Sequence, residues 1–293
     1  MFRNLLVAMD LSSASIRLLG LNCMGPLRGA GAESVTLVHV MNVRDVGGLY
    51  LSMKNLVEPI LKDKEKQLGE MGFRTRLEIP LGDPVQEINR VARETDASVI
   101  VAGTHGESLA KDILLGSVVH RLLQAAEKPV LLLPITILEG EGGWRCDVLC
   151  GDFFRHPLFA TDFSEPAGKA FHYLEHIVAN THPPEVTLYH VQDQGRIQPH
   201  LAHRLDEFNR IDLGRLEGLE ARLKEFGEAK AHKEVEFGRP GPLIVEKIRK
   251  GNYSMIVIAS QGRGYMAEAF LGRVANHVVH RSAIPVLVVP GSL

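Results

Sequence analysis

The chain has 293 residues, a length that suits two domains, and its 45% hydrophobic and 23% charged content lets each bury a core. A formal charge of −2, from 33 basic and 35 acidic residues, leaves no global field to recruit nucleic acid or an anionic membrane. No apolar run approaches the ~20 residues needed to span a bilayer, and the N-terminus reaches Asp10 too soon for a signal peptide.

Three cysteines, Cys23, Cys146 and Cys150, make no disulfide framework, so reduced thiols in the cytoplasm are expected. Cys146-x3-Cys150 lacks a second ligand pair, and no metal site is read there.

Taken in order, Asn4–Met9 (NLLVAM) is a buried strand that ends at Asp10 and hands over to a helix with Ser12 and Ser13 as caps. Helical pattern runs from Ala14 to Leu27, interrupted by Gly20, and is expected to end near Gly25-Pro26. Val35–Val40 (VTLVHV) has the β-branched, mostly apolar character of a central parallel strand. Lys54–Met71 reads as an amphipathic helix and Arg74–Ile79 as a strand nearer the edge. Gly82-Asp83-Pro84 turns into a helix over Val85–Thr95, with proline at the tolerated first position. Val99–Ala102 is a buried strand; a glycine-interrupted loop follows, then a helix opening at Gly116-Ser117, then the strand Val130–Leu133. Strands alternating with helices imply a parallel α/β sheet.

The pattern then repeats about 150 residues later, which marks an internal duplication. LFATD at Leu158–Asp162 answers Leu6–Asp10, and VTLYHV at Val186–Val191 answers Val35–Val40. Gly238-Arg239-Pro240, Met255–Gly262 and Pro285–Val289 follow in the same order as their counterparts. The expected organisation is a first domain over 1–135, a linker over 136–155 carrying EGEGGW, and a second domain over 156–293. Trp144, Cys146 and Phe153-Phe154 give that linker groups that could pack on a domain. Arg204–Lys233 is a charged run with Leu205, Phe208, Leu213, Leu216, Leu219 and Leu223 at near-helical intervals, a solvated amphipathic helix.

Ligands of open parallel sheets bind beyond the carboxyl ends of the strands, where strand order reverses. Three strand ends carry distinctive residues: Asp10 after the first, Val40-Met41-Asn42 after the second, and Gly103-Thr104-His105-Gly106 after the fourth. Glycine-rich backbone leading into a helix start is an anion cradle, because the first-turn amides are unpaired and carry positive partial charge. Gly106, Gly116, Ser117 and Val118 would offer amides, and Ser117 a hydroxyl, to phosphates. Asp10 could accept from ribose hydroxyls, help hold a divalent metal, or cap the first helix. Backbone at Val40 could bind an adenine edge. His39 and His190 occupy equivalent strand positions and read as packed histidines.

Gly-x2-Gly-x9-Gly-Ser, after a first strand ending in Asp and before Pro-Val-Leu-Leu-Leu, resembles the universal stress protein family, in two copies that cover nearly the whole chain. The resemblance implies two tandem Rossmann-like domains of the adenine nucleotide alpha hydrolase type, each a five-stranded parallel sheet flanked by helices. It implies ATP or AMP, with or without magnesium, held by Asp10, Val40, Gly103, Thr104, His105, Gly106, Gly116, Ser117 and Val118. Ala8-Met9 departs from the Pro-Thr often found before the Asp. It also implies pairing of the last strands, Lys128–Leu133 with Ile284–Val289, as an intrachain pseudo-dimer, and leaves a homodimer open.

The second copy departs from the pattern: Ala259 stands for the first glycine and Arg273 for the Ser after Gly272. A weaker site of Asp162, Val191, Gly262, Gly272 and Arg273 is expected there, with Arg273 either pairing Asp162 or clamping a smaller phosphate.

No Gly-x4-Gly-Lys-[Ser/Thr] and no intact Gly-x-Gly-x-x-Gly occurs. Asp10 and His105 are the candidate bases near the loop, and neither has an orienting partner legible in the sequence. A nucleotide-binding regulatory protein therefore leads. A slow ATP hydrolase or adenylate-transfer enzyme is the first alternative, and a nucleotide-free structural pseudo-dimer the second.

Overall fold

The computed structural model describes residues 2–12, 15–16, 18–42, 50–104, 115–140, 143–148, 151–262 and 270–291, so the expectations for Ser13, His105 and Gly106 lie outside the described residues. The chain divides into two compact units, Met1–Gly151 and Asp152–Leu293.

The first unit begins with β1 (Asn4–Ala8), in which Leu5, Leu6 and Val7 are fully buried. It continues through α1 (Leu21–Gly29), β2 (Ser34–Val38), the short β3 (Met41–Asn42), α2 (Tyr50–Glu70), β4 (Arg74–Glu78) and the short β5 (Leu81–Gly82). Then come α3 (Pro84–Glu94), β6 (Val99–Gly103), α4 (Ser117–Ala125) and β7 (Val130–Leu133). Five strands pair in parallel in the order β4-β2-β1-β6-β7, with Leu5 between Val35 and Val99. β6 is buried throughout, whereas β4, at the edge, alternates exposed and half-buried positions. Each large side chain buried in the centre contributes roughly 1.5–3 kcal/mol.

Two expectations in this unit are corrected. The first helix does not stop at Gly25-Pro26: it runs on to Gly29, and the Ala30 N–H returns to the Pro26 carbonyl at 2.9 Å. Pro26 forfeits one backbone hydrogen bond, and burial of Cys23, Met24 and Leu27 on the same helix offsets that loss. Cys23 is also disulfide-bonded, contrary to the expected reduced thiols. The other cysteines are Cys146 and Cys150, whose side chains lie outside the described ones. Pairing is decided by where the fold brings thiols together, which spacing along the chain does not reveal.

The Asp83 carboxylate starts α3, accepting from the Val85 and Gln86 amides at 3.0 and 3.3 Å, and it pairs with Arg121 on α4 at 2.8 Å. The Arg121 hydrogen bond, followed by those amides, holds its carboxyl below the usual range against the raising effect of burial. The lowered value makes this contribution complete above the ordinary carboxylate pKa of about 4 and lost as pH falls through the lower folded value. Asp83→Ala is expected to cost about 1 kcal/mol at neutral pH. The gap from wild type should close in urea unfolding below pH 3. A gap unchanged at low pH would refute the assignment.

The second unit repeats the plan. It runs β10 (Pro157–Thr161), α5 (Glu165–Thr181), β11 (Glu185–Asp193), α6 (Gln194–Ile197), a 3-10 turn over Ala202–Arg204, α7 (Leu205–Leu223) and β12 (Lys230–Gly238). α8 (Pro240–Lys250), β13 (Met255–Ala259), α9 (Arg273–Val279) and β14 (Val286–Val289) complete it. Its parallel order, β12-β11-β10-β13-β14, matches the first unit strand for strand. Strand order therefore reverses between β1 and β6 in one unit and between β10 and β13 in the other.

Within the segment read as a linker, β8 (Ile135–Gly140) pairs antiparallel with β9 (Gly143–Val148), from Ile135 opposite Val148 to Gly140 opposite Gly143. Phe153 and Phe154 are buried, their rings 4.6 Å apart, and the Phe153 carbonyl accepts from the Ser254 hydroxyl at 3.0 Å.

Candidate functional site

At the end of β1 the chain turns sharply. Leu11 takes a left-handed conformation, φ +62°, and the Asp10 carboxylate accepts from the Ser12 amide at 3.0 Å. The capping role belongs to Ser12, whose hydroxyl accepts from the Ser15 amide at 3.1 Å. Val40 follows β2 between two anchored neighbours, His39 N–H bonded to Glu78 O and Met41 N–H to Pro80 O.

On the other side of β1, the Thr104 amide donates to Leu133 O at 3.1 Å. The Gly116 amide donates to Thr104 O at 2.9 Å, which pins the start of α4 to the end of β6; contrary to the expectation for Gly116, that amide is used within the fold and not offered to phosphate. No side chain caps that helix, so the amides of its first turn are unprovided for by capping. The sheet order thus brings Asp10, Val40, Gly103, Thr104, Gly116, Ser117 and Val118 to the carboxyl edge at the switch point.

The second unit rebuilds this geometry. Phe163 has φ +58°, Asp162 accepts from the Ser164 amide at 3.0 Å, and Ser164 caps α5. The Gly272 amide donates to Ser260 O at 2.7 Å ahead of α9, again with no side-chain cap. A left-handed non-glycine residue is costly, and its recurrence at both switch points marks the position as constrained in common.

Here a cavity of about 1000 Å³ opens, and Asp162, Val191, Gly262, Gly272 and Arg273 all line it. A Cβ on Gly262 would lie 2.5 Å from Asp162 Oδ2 and would displace that carboxylate, and one on Gly272 would lie 3.1 Å from Ser260 O, pressing on backbone. Ala259 also lines the cavity, so the extra Cβ is accommodated in β13. Arg273 and Asp162 both face this cavity. Burial, the largest cause, pushes the phenol of Tyr189 in the cavity wall far above its usual value, which keeps it neutral.

The equivalent histidines do the same packing job. His39 Nδ1 meets Met9 O at 2.9 Å and His190 Nδ1 meets Thr161 O at 2.7 Å, and since a carbonyl only accepts, Nδ1 carries the proton in both. In the second unit His190 has further company that sequence reasoning missed. Its Nε2 lies 3.5 Å from Asp212 Oδ2, which also accepts from Gln192 Nε2 at 2.9 Å, while Asp212 Oδ1 accepts from Arg215 at 3.1 Å. Arg215 stands over the Phe163 ring at 5.3 Å, and that ring sits 4.6 Å from His190.

Asp212 is buried on the inward stripe of α7 with Leu216 and Leu223, whereas Leu213, assigned to that stripe from sequence, is 39% exposed. The available signal was an acid spaced four residues after Phe208 and four before Leu216.

Fold and cavity together define a tandem of doubly wound α/β units, the second with a cavity at its switch point. The comparisons narrow this class. The model of the universal stress protein family matches residues 1–134 and 154–290, and the chain belongs to that family.

A universal stress protein of Methanocaldococcus jannaschii is 31% identical over 157 residues, 45% of this chain and 95% of the relative. One from Bacillus subtilis is 26% identical over 149 residues, 45% of this chain and 99% of the relative. The crystal structure of a universal stress protein from Archaeoglobus fulgidus matches over 99% of this chain and 97% of its own, with a TM-score of 0.74 and 26% identity. Among the described residues no helix is long and apolar enough to cross a membrane, and no group of three or more His, Cys, Asp or Glu is placed to hold a metal.

Proposed function

We propose that this chain binds an adenine nucleotide, ATP or AMP, principally in its N-terminal copy, and acts as a stress-response regulatory protein through the bound ligand. One observation carries the reading: the crevice construction found in both units. An Asp ends the first strand, and an uncapped helix start is tied to the end of the fourth strand by a single glycine amide, Gly116 to Thr104 O and Gly272 to Ser260 O.

Backbone amides at such a helix start favour phosphate, and the second-unit cavity, at about 1000 Å³, is at the upper end of small-molecule sites. The N-terminal copy keeps the complete glycine string with Ser117, whereas Ala259 and Arg273 alter the other. Magnesium, where present, would be held largely by the phosphates and water.

Ligand bound only to the native state adds about 2.7 kcal/mol of stability at a hundredfold excess over Kd, which is one route from nucleotide level to protein level. Titration of the full chain with ATP and AMP by calorimetry tests the reading, alongside ATP turnover by wild type and Asp10→Ala. Saturable binding without product release supports it. Product released at a rate that Asp10→Ala removes would replace it with an ATP hydrolase.

A further inference from the structure

We infer that Arg239, His277 and Arg281 form an interaction surface on the C-terminal unit that docks an acidic peptide segment of a partner protein through its carboxylates. The inference is independent of nucleotide binding. It rests on a carboxylate that the duplication keeps in one unit and replaces in the other.

In the first unit the place is filled by the chain itself. Asp83 accepts from the Val85 and Gln86 amides at the start of α3 and pairs with Arg121 of α4 at 2.8 Å. In the second unit, at the same relative positions, Arg239 stands for Asp83, Gly241 for Val85, Pro242 for Gln86 and His277 for Arg121. The acid has become a cation while the position opposite stays basic. The start of α8 accordingly has no side-chain cap and no acid in its first turn, whereas α3 has Asp83 and Glu87.

The exchanged residues still meet. A Cβ on Gly241 would lie 3.0 Å from the His277 ring, so that ring rests against the first turn of α8. Arg281 Nη1 lies 3.3 Å from His277 Nδ1, and since a guanidinium only donates, the neutral ring carries its proton on Nε2. Burial, followed by the charges of Arg281, Arg239 and His280, holds His277 below its usual pKa, and each of those charges is positive.

Arg239 and Arg281 are exposed and His277 is half-buried. Among the described residues neither arginine forms an ion pair. Like charges gathered in this way repel one another, and an incoming carboxylate relieves the repulsion. A guanidinium fork matches a carboxylate in shape, and the Gly241 amide is the counterpart of the Val85 amide that Asp83 engages. Exposed ion pairs are individually weak, so a lone small anion gains little here, whereas consecutive acids on one segment add their contacts. The formal charge of −2 gives such a segment no general attraction to the chain, which confines its binding to this patch.

The test uses the full chain and a short fluorescein-labelled oligoglutamate, read by fluorescence anisotropy at low salt. Wild type is expected to bind it saturably, with affinity falling as salt rises. Arg239→Asp restores the arrangement of the first unit and fills the place with the chain's own carboxylate, so it should weaken the peptide by about tenfold. Arg281→Ala, at an exposed position, should weaken it by about threefold. Excess ATP should leave the peptide bound.

No saturable binding by wild type, or an affinity unchanged in Arg239→Asp, would overturn the inference. Displacement of the peptide by ATP would do so too, because it would put the peptide in the nucleotide cradle. Where circular dichroism melts show Arg239→Asp to be unfolded, Arg281→Ala decides the matter, and an unchanged affinity there overturns the inference equally.

Discussion

Gly116→Val is expected to abolish measurable nucleotide binding at the N-terminal copy, a loss of about a hundredfold or more. Gly116 bonds the end of β6 through its amide to Thr104 O and precedes the uncapped start of α4. Its φ of −63° and ψ of 145° are open to valine, so the substitution leaves the backbone unstrained and acts through bulk. The equivalent Gly272 shows the room available: a single added carbon would stand 3.1 Å from Ser260 O, and a branched side chain extends further into the cradle. Losing two hydrogen bonds to a charged phosphate, at roughly 1.5–3 kcal/mol each, accounts for a hundredfold or more. Arg273→Ser, in the other copy, should weaken nothing at this site. Calorimetric titration with ATP reads both, and unchanged affinity in Gly116→Val would sink the assignment of the loop.

Arg222→Ala is expected to be the most damaging single change on the helical face of the second unit. Glu175 sits on α5 among buried Phe171, Leu174 and Val178, with its side chain 5% exposed. It accepts from Arg222 at 2.6 Å and from His172 at 2.8 Å, and the Arg222 guanidinium also covers the Phe171 ring at 4.9 Å. Removing the arginine leaves a buried carboxylate short of its main partner, a change that costs about 3–5 kcal/mol when both groups are buried. Arg222 is 44% exposed, so solvent screening reduces the loss to about 2 kcal/mol. For a unit of this size the melting temperature falls by roughly 4–8 °C. Glu175→Leu combined with Arg222→Met should recover most of it, because the charge then leaves with its partner. A melt of Arg222→Ala within a degree of wild type would contradict the account.

The alternation of strands and helices, the duplication and the carboxyl-edge placement of Asp10, Gly103, Gly116 and their counterparts were legible because they rest on local signals. Continuous apolar runs such as Val99–Ala102 are what a doubly covered parallel strand requires, and Asp83-Pro84 announces a helix start.

What escaped depends on three-dimensional proximity. Asp212 reads as one more charge in a solvated helix until Gln192 and His190 are seen to face it. The disulfide at Cys23 is set by approach through space. The antiparallel pairing of Ile135–Gly140 with Gly143–Val148 was hidden by composition, since EGEGG suggests a linker. Yet two residues, Glu141-Gly142, between two six-residue strands is a hairpin spacing. Pro26 misled for a related reason: a proline signals a helix end only where no buried face carries the helix past it.

The most direct test of the central claim is the nucleotide carried by the chain itself. Purified full-length protein, incubated with excess ATP, desalted and denatured in acid, should release adenine nucleotide approaching one per chain. The Gly116→Val chain, treated alike, should release far less. Wild type that retains none, and shows no saturable uptake of ATP or AMP at equilibrium, would contradict the account.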